Sequence, residues 1–272
     1  VYTNNSPDTL RFIWFHLWPN AYKNTETAGA KQAERFLYSE FLFSEEKNRG
    51  YIDSLDFKIN GIPAETKFHH EWIDVLKVHL HPPLNPGDQV TIETPFFVKI
   101  PKVFSRLGHI GKHYEITQWY PKPAVYDHKG WHPMPYLNMG EFYSEFGSFD
   151  VKITLQEDYR IMATGDLING EDEYAWLDSL AAAGDSLHAL DKKDFKKALK
   201  KMKEGKKEEK KNLIYKLKSL FKKQDKEGKE REEPKYKTLH FHQDNVHDFA
   251  WFADKKWIVR KGNLYLADST RE

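Results

Sequence analysis

Between Gly50 and Pro101 the chain alternates strand signals with turn clusters, and this pattern limits the fold more than any other feature. The segment "YIDSLDFKING" ends in an Asn-Gly pair, the letters of a tight hairpin turn. Next, "WIDVLKVHL" alternates apolar with polar residues, "PPLNPGD" is a turn cluster, and "QVTIETPFFVKIP" reads as a further strand. Strands at this spacing predict an antiparallel meander.

The remaining sequence agrees. Residues 10 to 18 place Leu10, Phe12, Trp14 and Phe15 in a half-buried strand, and "SFDVKITLQEDYRIMATGDLIN" reads as two strands joined through Gln156-Glu157-Asp158. Aromatic residues form 15% of the chain, enough for a core of large rings that favour pleated strands. Residues 23 to 48 suit a short helix or an ordered loop. The opening "VYTNNSPDTLRFIWFHLWPNAY" looks like a strand end, a turn and a second strand, so the chain is expected to be cut from something longer.

Charge narrows the partners. The net charge of +1 removes any global electrostatic argument for nucleic acid or an anionic membrane, and no run approaches the length of a membrane span. With no cysteine, neither a disulfide framework nor a cysteine zinc site can form. From about Asp178 to Pro234 a dense Lys/Glu tract takes over. Phe195, Ala198, Leu199 and Met202, then Leu213, Leu217, Leu220 and Phe221, recur at helical spacing on either side of Gly205. A helical hairpin inserted between strands is the simplest expectation. Docking of the tract on an acidic partner or membrane surface is the alternative.

Two constellations invite a metal reading. His70-Glu71-Trp72-Ile73-Asp74 comes within one residue of H-E-x-x-H, but that motif needs a helix and this segment has strand spacing. In "HFHQDNVHD", His240 and His242 would share a strand face, with His247 and Asp248 following, yet no third ligand stands at a fixed spacing. No metal ligands or catalytic residues are assigned.

The stretch "YEITQWYPKPAVYDHKGWHPMPYLN", residues 114 to 138, is too irregular for a helix or a regular strand. A glutamine among aromatic walls must satisfy its amide with protein or ligand. Read from the residues alone, a structural Gln118 is the simpler expectation.

The segments "PLNPGDQVTIETPFFVKIP", "TQWYPKPAVYDHKGWH", "EFYSEFGSFDVKITL", "MATGDL" and "NVHDFAWFAD" resemble, in order, the N-terminal β-domain of M1-family zinc aminopeptidases of bacterial type. The resemblance implies a mainly β fold, a large antiparallel twisted sheet or β-sandwich of saddle-like form. The lysine-rich α-helical insertion at 178 to 234 would divide it into residues 1 to 177 and 235 to 272. Gln118 matches the position that holds the free α-amino group of a peptide substrate, with Trp119 and Tyr120 beside it as substrate-binding residues.

Zinc would belong to the parent enzyme, on a downstream catalytic domain whose H-E-x-x-H and exopeptidase motif are not in this sequence. This chain alone is expected to be inactive. Its partners would be a peptide with a free N-terminus and that catalytic domain, in the bacterial periplasm or cell envelope or secreted. The alternative is a stand-alone β-sandwich binding module for glycan or protein, whose sign would be aromatics clustered on a sheet face away from Gln118.

Overall fold

Asn60 and Gly61 both adopt left-handed φ angles, 50° and 79°, and turn the strand Lys58–Ile59 onto Ile62–Pro63 as their letters demand. The computed structural model describes residues 1–182 and 233–262. They are mainly β, arranged as several antiparallel sheets of two to four strands. Two compact units emerge. The first comprises Val1–Val151, Ile161–Asp166 and Phe241–Lys255, and the second Lys152–Arg160, Leu167–His240 and Lys256–Glu272.

The first unit is built on a four-stranded sheet in the order Lys122–Pro123, Leu10–His16, Val75–Leu84, Thr66–Phe68. Ile13 faces Val78 and Phe15 faces Leu76 across the central pair. These residues and Leu80 are buried, while Phe12, Trp14, Lys77 and His79 stand half-exposed on the opposite face. Alternate residues thus take opposite faces, as a period of two requires, and of the residues expected in a half-buried strand Phe15 faces the core while Phe12 and Trp14 do not. A second four-stranded sheet runs Gly108–Ile110, His113–Ile116, Trp251–Asp254, Arg160–Ala163.

The meander is corrected. Leu10–His16 pairs with Val75–Leu84, and Tyr51–Asp53 with Phe97–Lys99, so the main ladders join distant segments. Alternation determines which face a residue takes but not which strand lies beside it. "QVTIETPFFVKIP" is not one strand but three short ones, Gln89–Val90, Ile92–Glu93 and Phe97–Lys99. Thr91 turns aside because its backbone exchanges bonds with Asn60: Asn60 N donates to its carbonyl at 2.9 Å, and Thr91 N donates to Asn60 Oδ1 at 2.9 Å. Pro82 and Pro83 continue a strand, the turn beginning only at Asn85.

Residues 70–74 form a bend and turn, and the strand expected there begins at Val75. Gly147–Gln156 and Arg160–Ala163 are both strands but lie in different sheets. In the 23–48 region, Thr27 caps the helix Ala28–Arg35 by accepting the Ala30 amide at 3.2 Å, and the short helix Ser39–Leu42 follows.

Two buried clusters fill the first unit. Ile13, Phe15, Leu76, Val78 and Leu80 belong to one beneath the sheet. Trp18, Tyr22, Phe41, Leu107, Ile116 and Tyr136 belong to the other.

In the second unit, a helix spans 171–182, beginning before the boundary expected for the inserted segment. Lys237 Nζ reaches both Glu173 oxygens at 2.7 Å and lies 4.1 Å from the Trp176 ring centroid. The amphipathic repeats between Phe195 and Phe221 fall outside the described residues.

Candidate functional site

The strand His113–Ile116 ends where Thr117 turns its hydroxyl inward, within 3.0 Å of both the Arg106 carbonyl and Gln118 Oε1. Gln118 then adopts φ +47°, a left-handed conformation that costs a residue with a Cβ on the order of 1 kcal/mol. Such strain persists only where the surroundings over-determine it. Here the surroundings come from a second segment about 130 residues further on.

Asp248 is the centre of this contact. Its Oδ1 accepts the Tyr120 hydroxyl at 2.9 Å and the Phe249 amide at 2.8 Å, while Oδ2 accepts Gln118 Nε2 at 3.4 Å. Lys122 Nζ stands 3.5 Å from Oδ1 and donates to the His247 carbonyl. Trp119 Nε1 donates to the Phe249 carbonyl at 3.1 Å, and its ring packs 5.9 Å from Phe96. The three residues predicted from the sequence, Gln118, Trp119 and Tyr120, thus converge on one short stretch, His247 to Phe249.

Burial determines the electrostatics. The Lys122 side chain is 7% exposed, and desolvation pulls its pKa below the usual lysine value against the opposing pull of Asp248. Tyr120 is driven upward, first by burial and then by the Asp248 charge, so its hydroxyl remains a donor to that carboxylate. With its amide nitrogen directed at Asp248, Gln118 keeps Oε1 as its acceptor end. One lone pair faces Thr117, and the other has the capacity to accept an N–H from a ligand.

Sequence reasoning weighed Asp248 only as a metal ligand and did not single out Lys122. The available signal was an aspartate directly before the apolar run Phe249 to Phe252, where a carboxylate needs partners.

The histidines do not converge. His242 lies 3.5 Å from Asp150 and 3.4 Å from Asp244, whereas the His247 ring packs on Phe146. His70 meets Glu71 at 3.7 Å, and His69 stacks on Trp72. Among the described residues, no group of three or more His, Asp or Glu side chains is arranged to hold a metal ion.

Beside this network lies an open cleft of about 940 Å³, lined in part by Tyr120, Tyr126, Asp127, Glu145 and Phe149. Tyr120 is the predicted residue that reaches it. At its margin the Asp127 carboxylate sits 2.7 Å from His132 Nε2 and accepts the Tyr143 hydroxyl at 3.3 Å. The bond to His132, with that from the Lys129 amide, holds Asp127 near a pKa of about 2. A scan of protein-family models, a search of curated proteins and a search of solved structures each return no match to this chain.

Proposed function

We propose that this chain is the N-terminal β-domain of a zinc aminopeptidase of the M1 type, closing one wall of the active-site cleft and using Gln118 to hold the α-amino group of a peptide. The reading rests on the resemblance, and one observation supports it. The matched segments "TQWYPK" and "NVHDFA", far apart in the chain, meet at Asp248 and hold Gln118 in a strained left-handed conformation. An ammonium placed against Oε1 would gain a charge-assisted hydrogen bond, worth about 1.5–3 kcal/mol.

Peptide hydrolysis needs water activated by a metal or base, and this role falls to the downstream catalytic domain that the resemblance implies. Zinc and its ligands would reside there, and the substrate would be a peptide with a free N-terminus. Cleavage of amino-acyl chromogenic substrates, compared between this chain and the longest form of the same polypeptide, tests the proposal. Gln118→Ala in the longer form should raise KM for free-amine substrates about tenfold or more, and N-acylated analogues should stay uncleaved by wild type and variant alike. An inert longer form, or an unchanged KM, sinks the reading.

The binding-module alternative also has an observation in its favour. Aromatic rings cluster on the half-exposed face of the first four-stranded sheet, built by other elements than the Gln118 turn.

A further inference from the structure

The half-exposed face of the Leu10–His16 and Val75–Leu84 pair carries rings and cations in an unusual order. Phe12 stacks on Trp131 with centroids 6.0 Å apart, and Trp14 meets His69 at 5.5 Å. Lys77 lays its ammonium over both Phe12 and Trp14, at 4.4 Å and 4.6 Å from their centroids. On the neighbouring edge strand Lys67 stands directly opposite Lys77.

Like charges directly opposed across an antiparallel pair destabilise it, and a carboxylate at either position would favour pairing. An edge lysine can be explained as protection against unwanted strand pairing. That explanation does not reach Lys77, which belongs to a strand with neighbours on both sides. Among the described residues neither lysine has a carboxylate partner: the Lys77 ammonium rests over the two rings, and Lys67 is exposed.

The chemistry of the face restricts the partner. Lysine ammonium groups donate and never accept, whereas His69 already accepts the Glu71 amide at Nδ1. An acceptor-rich partner fits; a peptide, with its own amide donors, fits poorly. The surface is one side of a sheet, suited to an extended polymer, and its ring edges and faces suit contact with the C–H faces of sugar rings. Two permanent cations match anionic groups spaced along a sugar chain better than the phosphate on every nucleotide of a single strand.

We propose that this face binds an acidic polysaccharide, its carboxylates on Lys77 and Lys67 and its rings against Trp14 and Phe12.

The test is affinity electrophoresis of the full chain through gels containing polygalacturonate, with poly-glutamate and oligo-dT as competing polyanions. The wild type should be retarded by polygalacturonate in preference to the other two, and retardation should fall as salt rises. Lys77→Gln and Trp14→Ala should each weaken it about tenfold. Lys67→Gln, at an exposed edge position, removes the like-charge pair, so its melting point should equal or slightly exceed the wild type's while its retardation should still fall. Retention that survives Lys77→Gln and Lys67→Gln would place binding in the lysine-rich tract and overturn the proposal. Equal or tighter binding of oligo-dT or poly-glutamate, or no retardation at all, would overturn it as well.

Discussion

Beneath the first four-stranded sheet the core is largely aliphatic, with Ile13, Leu76, Val78 and Leu80 packed around Phe15. The second core is aromatic: Trp18, Tyr22, Phe41 and Tyr136 lie under a stretch of chain without regular pairing. Strands satisfy their own backbone through ladders, so side chains below them need to supply only apolar area. Irregular backbone needs partners from side chains, and rings carrying a polar atom supply both.

The contacts show this division. Trp18 Nε1 donates to the Met134 carbonyl at 3.3 Å, and His16 Nε2 accepts the Met134 amide at 3.1 Å. The Tyr136 amide donates to Asp74 Oδ2 at 2.7 Å, and its hydroxyl bonds Ser105 at 2.8 Å. His16, the last residue of its strand, and Asp74, directly before the strand Val75–Leu84, thereby fasten residues 134–136 in place. The Gln118 turn is held on the same principle by Asp248.

Truncating each core should separate the two roles with the largest effects. Trp18→Ala should cost about 3–5 kcal/mol and Leu80→Ala about 2–5 kcal/mol in urea unfolding. Similar totals should conceal different patterns: hydrogen exchange at Met134 and Tyr136 should accelerate strongly in Trp18→Ala and hardly in Leu80→Ala. Equal acceleration in both would mean that the cores act as one unit.

A pH series sharpens the contrast at the two buried polar anchors. Burial raises Asp74 to about 6, so its contribution to stability is complete below its ordinary value of 3.8 and is lost as pH climbs through 6. Burial, aided by the Lys122 charge, lowers His16 to about 3, so its contribution is complete above 6.5 and is lost as pH falls toward 3. Between pH 4 and 6 the two slopes oppose each other. Asp74→Asn removes one of them and should make stability fall on acidification more steeply than in the wild type, by up to about 1.4 kcal/mol per pH unit. Parallel wild-type and variant curves would contradict the assignment.

The smallest expected effect concerns the Gln118 turn. Gln118→Gly relieves left-handed strain of about 1 kcal/mol but loses the bonds to Asp248 and Thr117, so stability should change by no more than about 1 kcal/mol, while discrimination for free-amine substrates is abolished in the longer polypeptide. A loss of stability would show that the bonds to Asp248 and Thr117 outweigh the strain.

Legibility in the sequence followed the range of the interaction. The Asn60-Gly61 hairpin depends on neighbours within a few residues and could be read from the letters, whereas the Thr27 cap and the inward placement of Ile13, equally local, lie beyond what the sequence reading assigned. Gln118, Trp119 and Tyr120 were chosen through a resemblance, and periodicity alone did not mark them. Asp248, Lys122, His16 and Asp74 escaped because nothing local signals their partners. Each bonds a segment between 62 and 130 residues away.

The sequence by itself determined a mainly β chain, the alternation along its strands and the Asn60-Gly61 turn, because these obey local sterics and a period of two. Tertiary structure alone decided that Leu10–His16 lies beside Val75–Leu84 and that Asp248 closes on Gln118. Strand pairing and buried carboxylate partners are non-local: many registers bury the same apolar face, and the one adopted is that which also satisfies the buried polar groups.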